Sequence, residues 1–133
     1  MSKDKVGALI VLVQENNLNE IIETGVSIDA IITKPLIENI FFKNSPLHDG
    51  AMVISNNKIT AARCILTITQ NTHLPGSYGL RHRAGIGITE NSDCIAVVVS
   101  EETGSIRIIK HGKVHDVKAA EMKTKIKELS AKK

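Results

Sequence analysis

The chain has 133 residues and a formal net charge of +3, with 42% hydrophobic and only 2% aromatic residues. That length supports one domain with a single core, and so few aromatics leave no stacking surfaces for several bases, which argues against a single-strand nucleic-acid platform. The charge is local: residues 110–133 hold eight lysines against Asp116, Glu121 and Glu128, whereas the other 109 residues hold nine cationic and eleven acidic side chains, so the basic character belongs to a tail and argues against nucleic acid as a ligand.

In chain order, the apolar run from Val6 to Val13 reads as a strand covered on both faces, and it is far too short to cross a bilayer. Asn17-Leu18-Asn19-Glu20 predicts a capping box that opens a short helix with Leu18, Ile21 and Ile22 inward, ended at Gly25. Thr33-Lys34-Pro35 starts a second helix, with Leu36, Ile37, Ile40 and Phe41 on one face and Asn44-Ser45-Pro46 as its stop. Residues 51–55 and 58–69 predict a hairpin around Asn56-Asn57.

Residues 72–78 read as a loop and 79–90 as a helix, despite Gly85 and Gly87. Residues 94–100 and 105–110 read as strands joined through Glu101 to Gly104. From Lys118, the spacing of Ala119, Met122, Ile126 and Leu129 predicts a closing amphipathic helix to about residue 131. The expected fold is therefore one α/β domain over residues 1–133, with its core over about 6–115 and a central mixed sheet flanked by helices. Cys64 and Cys94 stand alone in apolar runs and read as buried thiols; His48, His73, His111 and His115 form no zinc or triad pattern, and Gly112 speaks against a helical His111/His115 pair.

Two segments carry chemistry. Leu47-His48-Asp49-Gly50-Ala51 offers a carboxylate beside a glycine that lets a ligand approach the backbone; Asp-Gly is also a common turn dipeptide, but here it lies between a proline-stopped helix and an apolar strand. Gly79-Leu80-Arg81-His82-Arg83-Ala84 packs two guanidiniums and an imidazole into three consecutive residues. Those cations could be a solvated patch, yet at a helix N-terminus they oppose the macrodipole, and an anion such as phosphate would satisfy both. A carboxylate that can hold a divalent cation, opposed by cations, suits phosphoryl-group chemistry. By chemistry alone Ser100 to Gly104 is a polar turn.

Taken together, Pro46 to Ala51 (PLHDGA), Arg81 to Ala84 (RHRA), Gly87 to Glu90 (GITE) and Val99 to Gly104 (VSEETG) resemble the diadenylate cyclase domain, from about Val6 to His115. Gly7 to Val11 and Leu18 to Gly25 resemble its membrane-associated branch. The resemblance implies a cyclase that joins two ATP molecules into cyclic di-AMP and two pyrophosphates with a divalent metal (Mg²⁺ or Mn²⁺, and Co²⁺ as a third candidate). Asp49 and Glu102 would hold that metal, and Asp49, Arg81, His82 and Arg83 would be catalytic.

Gly50, Ala51, Leu66, Gly79, Leu80, the Arg81–Arg83 triplet and Ser100 would bind the nucleotide, Leu66 in an apolar adenine pocket. Where the family often has threonine this chain has Leu80, which removes a hydroxyl near the phosphates. The rival reading is an ATP-binding regulatory module with weak or no turnover. A homodimer would be needed for catalysis. The segment itself has no membrane contact and is cytoplasmic as given; membrane helices upstream would place the natural protein at the cytoplasmic membrane face.

Overall fold

The computed structural model describes residues 7–33, 35, 36, 50–55, 58–66, 69, 80–100, 105–121, 124 and 125. Seven strands form one mixed sheet in the order β2-β4-β3-β1-β5-β6-β7: β1 (Ala8–Leu12), β2 (Val26–Ile31), β3 (Ala51–Ser55), β4 (Lys58–Cys64), β5 (Ile95–Val99), β6 (Ile106–Lys110) and β7 (Lys113–Val117). Only β1 and β3 pair in parallel, Ile10 opposite Met52; every other neighbour is antiparallel.

The sequence explains the centre of this sheet. β1 and β5 are continuous apolar runs and both faces are largely covered: Ala8, Val11, Ile95, Ala96 and Val98 are fully buried, with Ile10 and Leu12 partly so. The two faces build two cores. Helix α2 (Leu80–Glu90) sets Ile86, Ala84 and Ile88 on the face that holds Leu9, Val11, Val53, Ala96 and Val98. Helix α1 (Asn19–Glu23) adds Ile21 and Ile22 to that same face, with Leu18 buried just ahead of it. The other face gathers Ala8, Met52, Ile59, Val97 and Ile108.

Several expectations are corrected. The capping box does not form: Leu18 is the N-cap of α1 without a side-chain bond, and the Asn19 N–H instead donates to Asn17 Oδ1 at 3.2 Å. β2 and β7 go beyond the predicted elements. Both are sheet edges on which no residue is fully covered, so their apolar alternation is weak. The turn into β7 is His111-Gly112, both at positive φ (52° and 76°), the two-residue connection that matches strand twist.

The second hairpin strand ends at Cys64, not at Thr69. Of the expected second helix, Pro35 and Leu36 are helical, with the Leu36 N–H donating to Thr33 Oγ1 at 3.3 Å; the rest lies outside the described residues. The closing segment shows a 3-10 turn at Ala119–Glu121 and helical residues at 124 and 125, and the remainder of that predicted helix lies outside the described residues.

The helix over 80–90 forms in spite of its glycines because one of them lets it approach the sheet. A Cβ on Gly85 would meet Ile109 Cδ1 at 2.9 Å and Ala96 Cβ at 3.4 Å. At its far end, Thr89 Oγ1 accepts from the Gly112 N–H at 3.1 Å, pinning α2 to the β6–β7 turn.

Candidate functional site

Strand direction decides what meets at the other end of α2. β5 runs against β1 with Val99 opposite Ala8, while β3 runs with β1 and starts at Ala51. The start of β3 and the end of β5 therefore share one end of the sheet, with the start of β1 between them. Strand spacing near 4.8 Å sets Gly50 and Ser100 roughly 10 Å apart across β1. Because the C-terminus of α2 is tied to the opposite end, its N-terminus with Arg81 points to this one.

A cleft of about 650 Å³ opens here, a size suited to a small-molecule ligand. Its floor is Leu9, Ala51 and Cys64; Gly50 and Arg63 line it from the ends of β3 and β4. Thr24, Gly25 and Val26 close it from the α1–β2 corner, Ile65 and Leu66 from the chain leaving β4, and Arg81 and Ala84 from the first turns of α2. Much of this wall is aliphatic, a slot for a flat apolar group, with guanidiniums reaching the same space.

Local backbone geometry explains how β4 serves the cleft. Between β3 and β4 the register shifts twice, once between Val53/Ala61 and Ile54/Ile59 and again between Ala51/Cys64 and Val53/Ala61, and at the second shift β4 carries one extra residue between Ala61 and Cys64. Arg63 takes that bulge at φ 58°, in the left-handed region, where a non-glycine residue costs roughly 1–2 kcal/mol. An inserted residue inverts the facing of everything after it. Ala61 and Cys64, three apart, consequently share the core under α2, and Leu66 packs against that same core. Without the bulge Cys64 would point to the other face. Burial pushes the Cys64 thiol up to about 11, so at neutral pH it is a packed, protonated wall group.

Gly50 sits at φ 81°, and a Cβ there would lie 2.8 Å from the Cys64 carbonyl oxygen and 2.9 Å from the Arg63 carbonyl carbon. Glycine is required by both conformation and space.

Of the residues predicted for the site, Gly50, Ala51, Leu66 and Arg81 come together in the cleft. Leu80 opens α2. Ser100 lies at the same sheet end, its N–H donating to the Ser105 carbonyl at 3.0 Å, but does not line the cleft. Asp49, Gly79 and Glu102 lie outside the described residues, and among the described residues no group of three or more His, Cys, Asp or Glu could hold a metal.

His82 and Arg83 depart from the expected arrangement, since neither lines the cleft. Successive helical residues turn by about 100°, so Arg81 and Ala84 share a face that His82 cannot share. The Arg83 carbonyl accepts from the Thr69 N–H at 3.1 Å, tying the segment after Leu66 to the helix. His82 is 6% exposed and packs back toward the sheet, its Nε2 lying 3.1 Å from a guanidinium nitrogen of Arg107 on β6. Arg107 in turn holds Asp116 on β7, Nε to Oδ1 at 2.6 Å. A guanidinium only donates, so Nε2 accepts and the ring is neutral, with its proton on Nδ1. Burial first, then the charges of Arg107 and Arg81, hold the His82 pKa below its ordinary 6.5, with Asp116 opposing.

The consequence for stability has a definite sign. The unfolded chain takes up this proton near 6.5 while the folded chain resists it. The contribution is therefore complete above 6.5 and lost as pH falls through it toward the lowered folded value. Thermal unfolding from about pH 8 to pH 5 should show a fall at the acidic end that is shallower in His82→Gln; identical slopes in the two proteins would contradict the neutral, buried ring.

The family model described as DAC, DisA bacterial checkpoint controller nucleotide-binding, matches residues 1–114. The chain belongs to the DAC family. Among its DAC relatives, the cyclic di-AMP synthase CdaA of Bacillus subtilis is 40% identical over 86% of this chain and 42% of its own length. A diadenylate cyclase of Listeria monocytogenes is 43% identical over 97% of this chain and 48% of its own. The crystal structure of a double cysteine mutant of DacA from Staphylococcus aureus superposes with a TM-score of 0.90 at 42% identity, covering 95% of this chain and 84% of that one. The DAC fold is thus the mixed seven-stranded sheet described above. This chain spans about half the length of the curated DAC relatives it matches.

The cleft holds residues that the motif reading missed: Arg63, Thr24, Val26 and Ile65. No motif flags them. The one available signal was Ala61-Ala62-Arg63-Cys64, a lone arginine inside an otherwise small, apolar strand.

Proposed function

We propose that this chain is the catalytic domain of a diadenylate cyclase, which condenses two ATP molecules into cyclic di-AMP with release of two pyrophosphates. One observation carries the reading: in a member of the DAC family, the glycine and alanine of the DGA motif, an aliphatic slot with Leu66, and Arg81 at a helix N-terminus line a single cleft. The slot takes the adenine. Arg81 and the N–H groups that open α2 take phosphate oxygens, where dipole and side chain act together. Gly50 lets the nucleotide lie against the backbone. Ser100, at the same end of the sheet, supplies a hydroxyl toward phosphate. Arg83 adds positive charge behind Arg81, and His82 positions the helix start through Arg107 rather than touching the substrate.

Asp49 and Glu102 are the residues that would hold a divalent cation. Their donor chemistry fits, since hard carboxylate oxygens together with phosphate oxygens suit Mg²⁺ or Mn²⁺. When bound, the metal would neutralise phosphate charge and favour ionisation of the ribose 3′-hydroxyl. Each 3′-oxygen attacks the α-phosphorus of the other nucleotide, its proton is lost, and pyrophosphate leaves. One cleft holds one ATP, so ring closure needs two subunits face to face about a two-fold axis. Placement at the cytoplasmic face of the membrane follows from the resemblance to the membrane-associated branch; among the described residues no helix is long and apolar enough to cross a bilayer.

The test is incubation with ATP and Mg²⁺, Mn²⁺ or Co²⁺ at several protein concentrations, with products separated by chromatography. Cyclic di-AMP is expected, with turnover per subunit falling on dilution below the dimer dissociation constant. Constant turnover on dilution would contradict the two-subunit site. ATP binding without any product would leave a regulatory module, and linear products or free phosphate would indicate a phosphohydrolase.

A further inference from the structure

Arg63 occupies a backbone conformation that favours glycine. It is the extra residue of the β4 bulge, at φ 58°, and it carries a long, charged side chain. The bulge is needed to aim Cys64 and Leu66 at the cleft, and glycine would form it with less strain. The residue is exposed and is one of those that line the cleft, as is Arg81. Among the described residues no hydrogen bond or ion pair engages its guanidinium. Fold stability thus explains the bulge but not the arginine. A strained backbone that delivers an unengaged cation into a ligand cleft is a pattern tied to sites rather than to packing.

We infer that Arg63 is a substrate-contacting residue of the cleft, a second guanidinium that grips the phosphates of the bound nucleotide from the β4 side, opposite Arg81 on α2. The inference rests on the nucleotide reading above and deepens it. Gly50, whose backbone packs directly on that of Arg63, follows Asp49 in the chain, so the β4 bulge adjoins the loop assigned to the reacting end of the nucleotide. Two guanidiniums from separate elements bracket a polyanion better than one, because each can donate two parallel hydrogen bonds to phosphate oxygens. The apolar slot meanwhile remains with Leu66, Ile65 and Val26.

Binding of 3′-deoxy-ATP with Mg²⁺ tests this, because that analogue lacks the attacking hydroxyl and cannot cyclise; 3′-deoxyadenosine serves as the uncharged control. Arg63→Gly should weaken 3′-deoxy-ATP binding about tenfold, as expected for one lost charge-assisted contact. It should leave 3′-deoxyadenosine within about twofold and hold or raise the unfolding temperature. Arg63→Lys keeps charge and strain alike and should retain most of the affinity. Unchanged 3′-deoxy-ATP binding by Arg63→Gly would overturn the inference, and so would equal weakening of nucleotide and nucleoside, which would place the effect in the shape of the bulge. If the unaltered protein bound neither compound, the nucleotide reading itself would fall.

Discussion

Asp49→Asn is expected to abolish formation of cyclic di-AMP while sparing most of the affinity for ATP. The substitution keeps the size of the side chain and its capacity to hydrogen-bond, and removes only the negative charge. In the proposed reaction that charge would have two uses: it would help to hold the divalent cation and, as the family resemblance implies, would lie near the 3′-hydroxyl that must lose a proton. In the same proposal ATP affinity would come from groups the change leaves intact, namely the slot around Leu66 and the positive charge of Arg81 and the α2 N-terminus. Turnover should fall by about 10²–10⁴-fold, the range for one positioned proton-transfer group. Turnover at the unaltered rate would refute the role of Asp49. A loss of ATP binding as large as the loss of turnover would place Asp49 in ground-state binding instead.

The second large effect is expected at Gly50. In Gly50→Ala the new methyl group would lie within 3 Å of two backbone atoms, the Cys64 carbonyl oxygen and the Arg63 carbonyl carbon. Neither can step aside as a flexible side chain could, because both belong to the bulge on which Cys64 and Leu66 depend. The φ of 81° adds a conformational penalty that only glycine avoids. The combined cost should be about 2–3 kcal/mol of stability, read from urea unfolding. Because relief would require the start of β3 to move away from β4, the cleft should widen, and affinity for ATP should fall along with stability. A stable Gly50→Ala protein with native affinity would show that β3 and β4 do not approach this closely at the bulge.

Much of the fold was legible in the chain because its central strands bury both faces and so read as continuous apolar runs. β1, β3, β5 and β6 were recognisable on that ground, and a helix over 79–90 was expected in spite of Gly85 and Gly87 and is found as α2. β2 and β7 were not, since each lies at an edge with its residues half-covered or exposed, and the pattern a half-buried strand should write is faint there. The extent of β4 was misjudged at one point for a clear reason. Periodicity assumes an unbroken register, whereas this strand carries a bulge at Arg63 and ends at Cys64 rather than at Thr69.

The sequence by itself determined the chemistry on offer: a carboxylate before a glycine, a cluster of cations, an aliphatic core without aromatic stacking surfaces, and a motif order that marks the DAC family. Those are properties of residue types and their spacing, and they are complete once the chain is written. Which cations line the cleft was decided only by the tertiary structure. Arg81, His82 and Arg83 are equivalent neighbours in the sequence, but the helical turn between successive residues sends Arg81 into the cleft and His82 back to Arg107. Arg63, eighteen positions before Arg81, enters the same cleft because a bulge breaks the two-residue alternation of its strand. Side-chain direction depends on backbone rotation and strand register, and both are fixed by packing against distant parts of the chain.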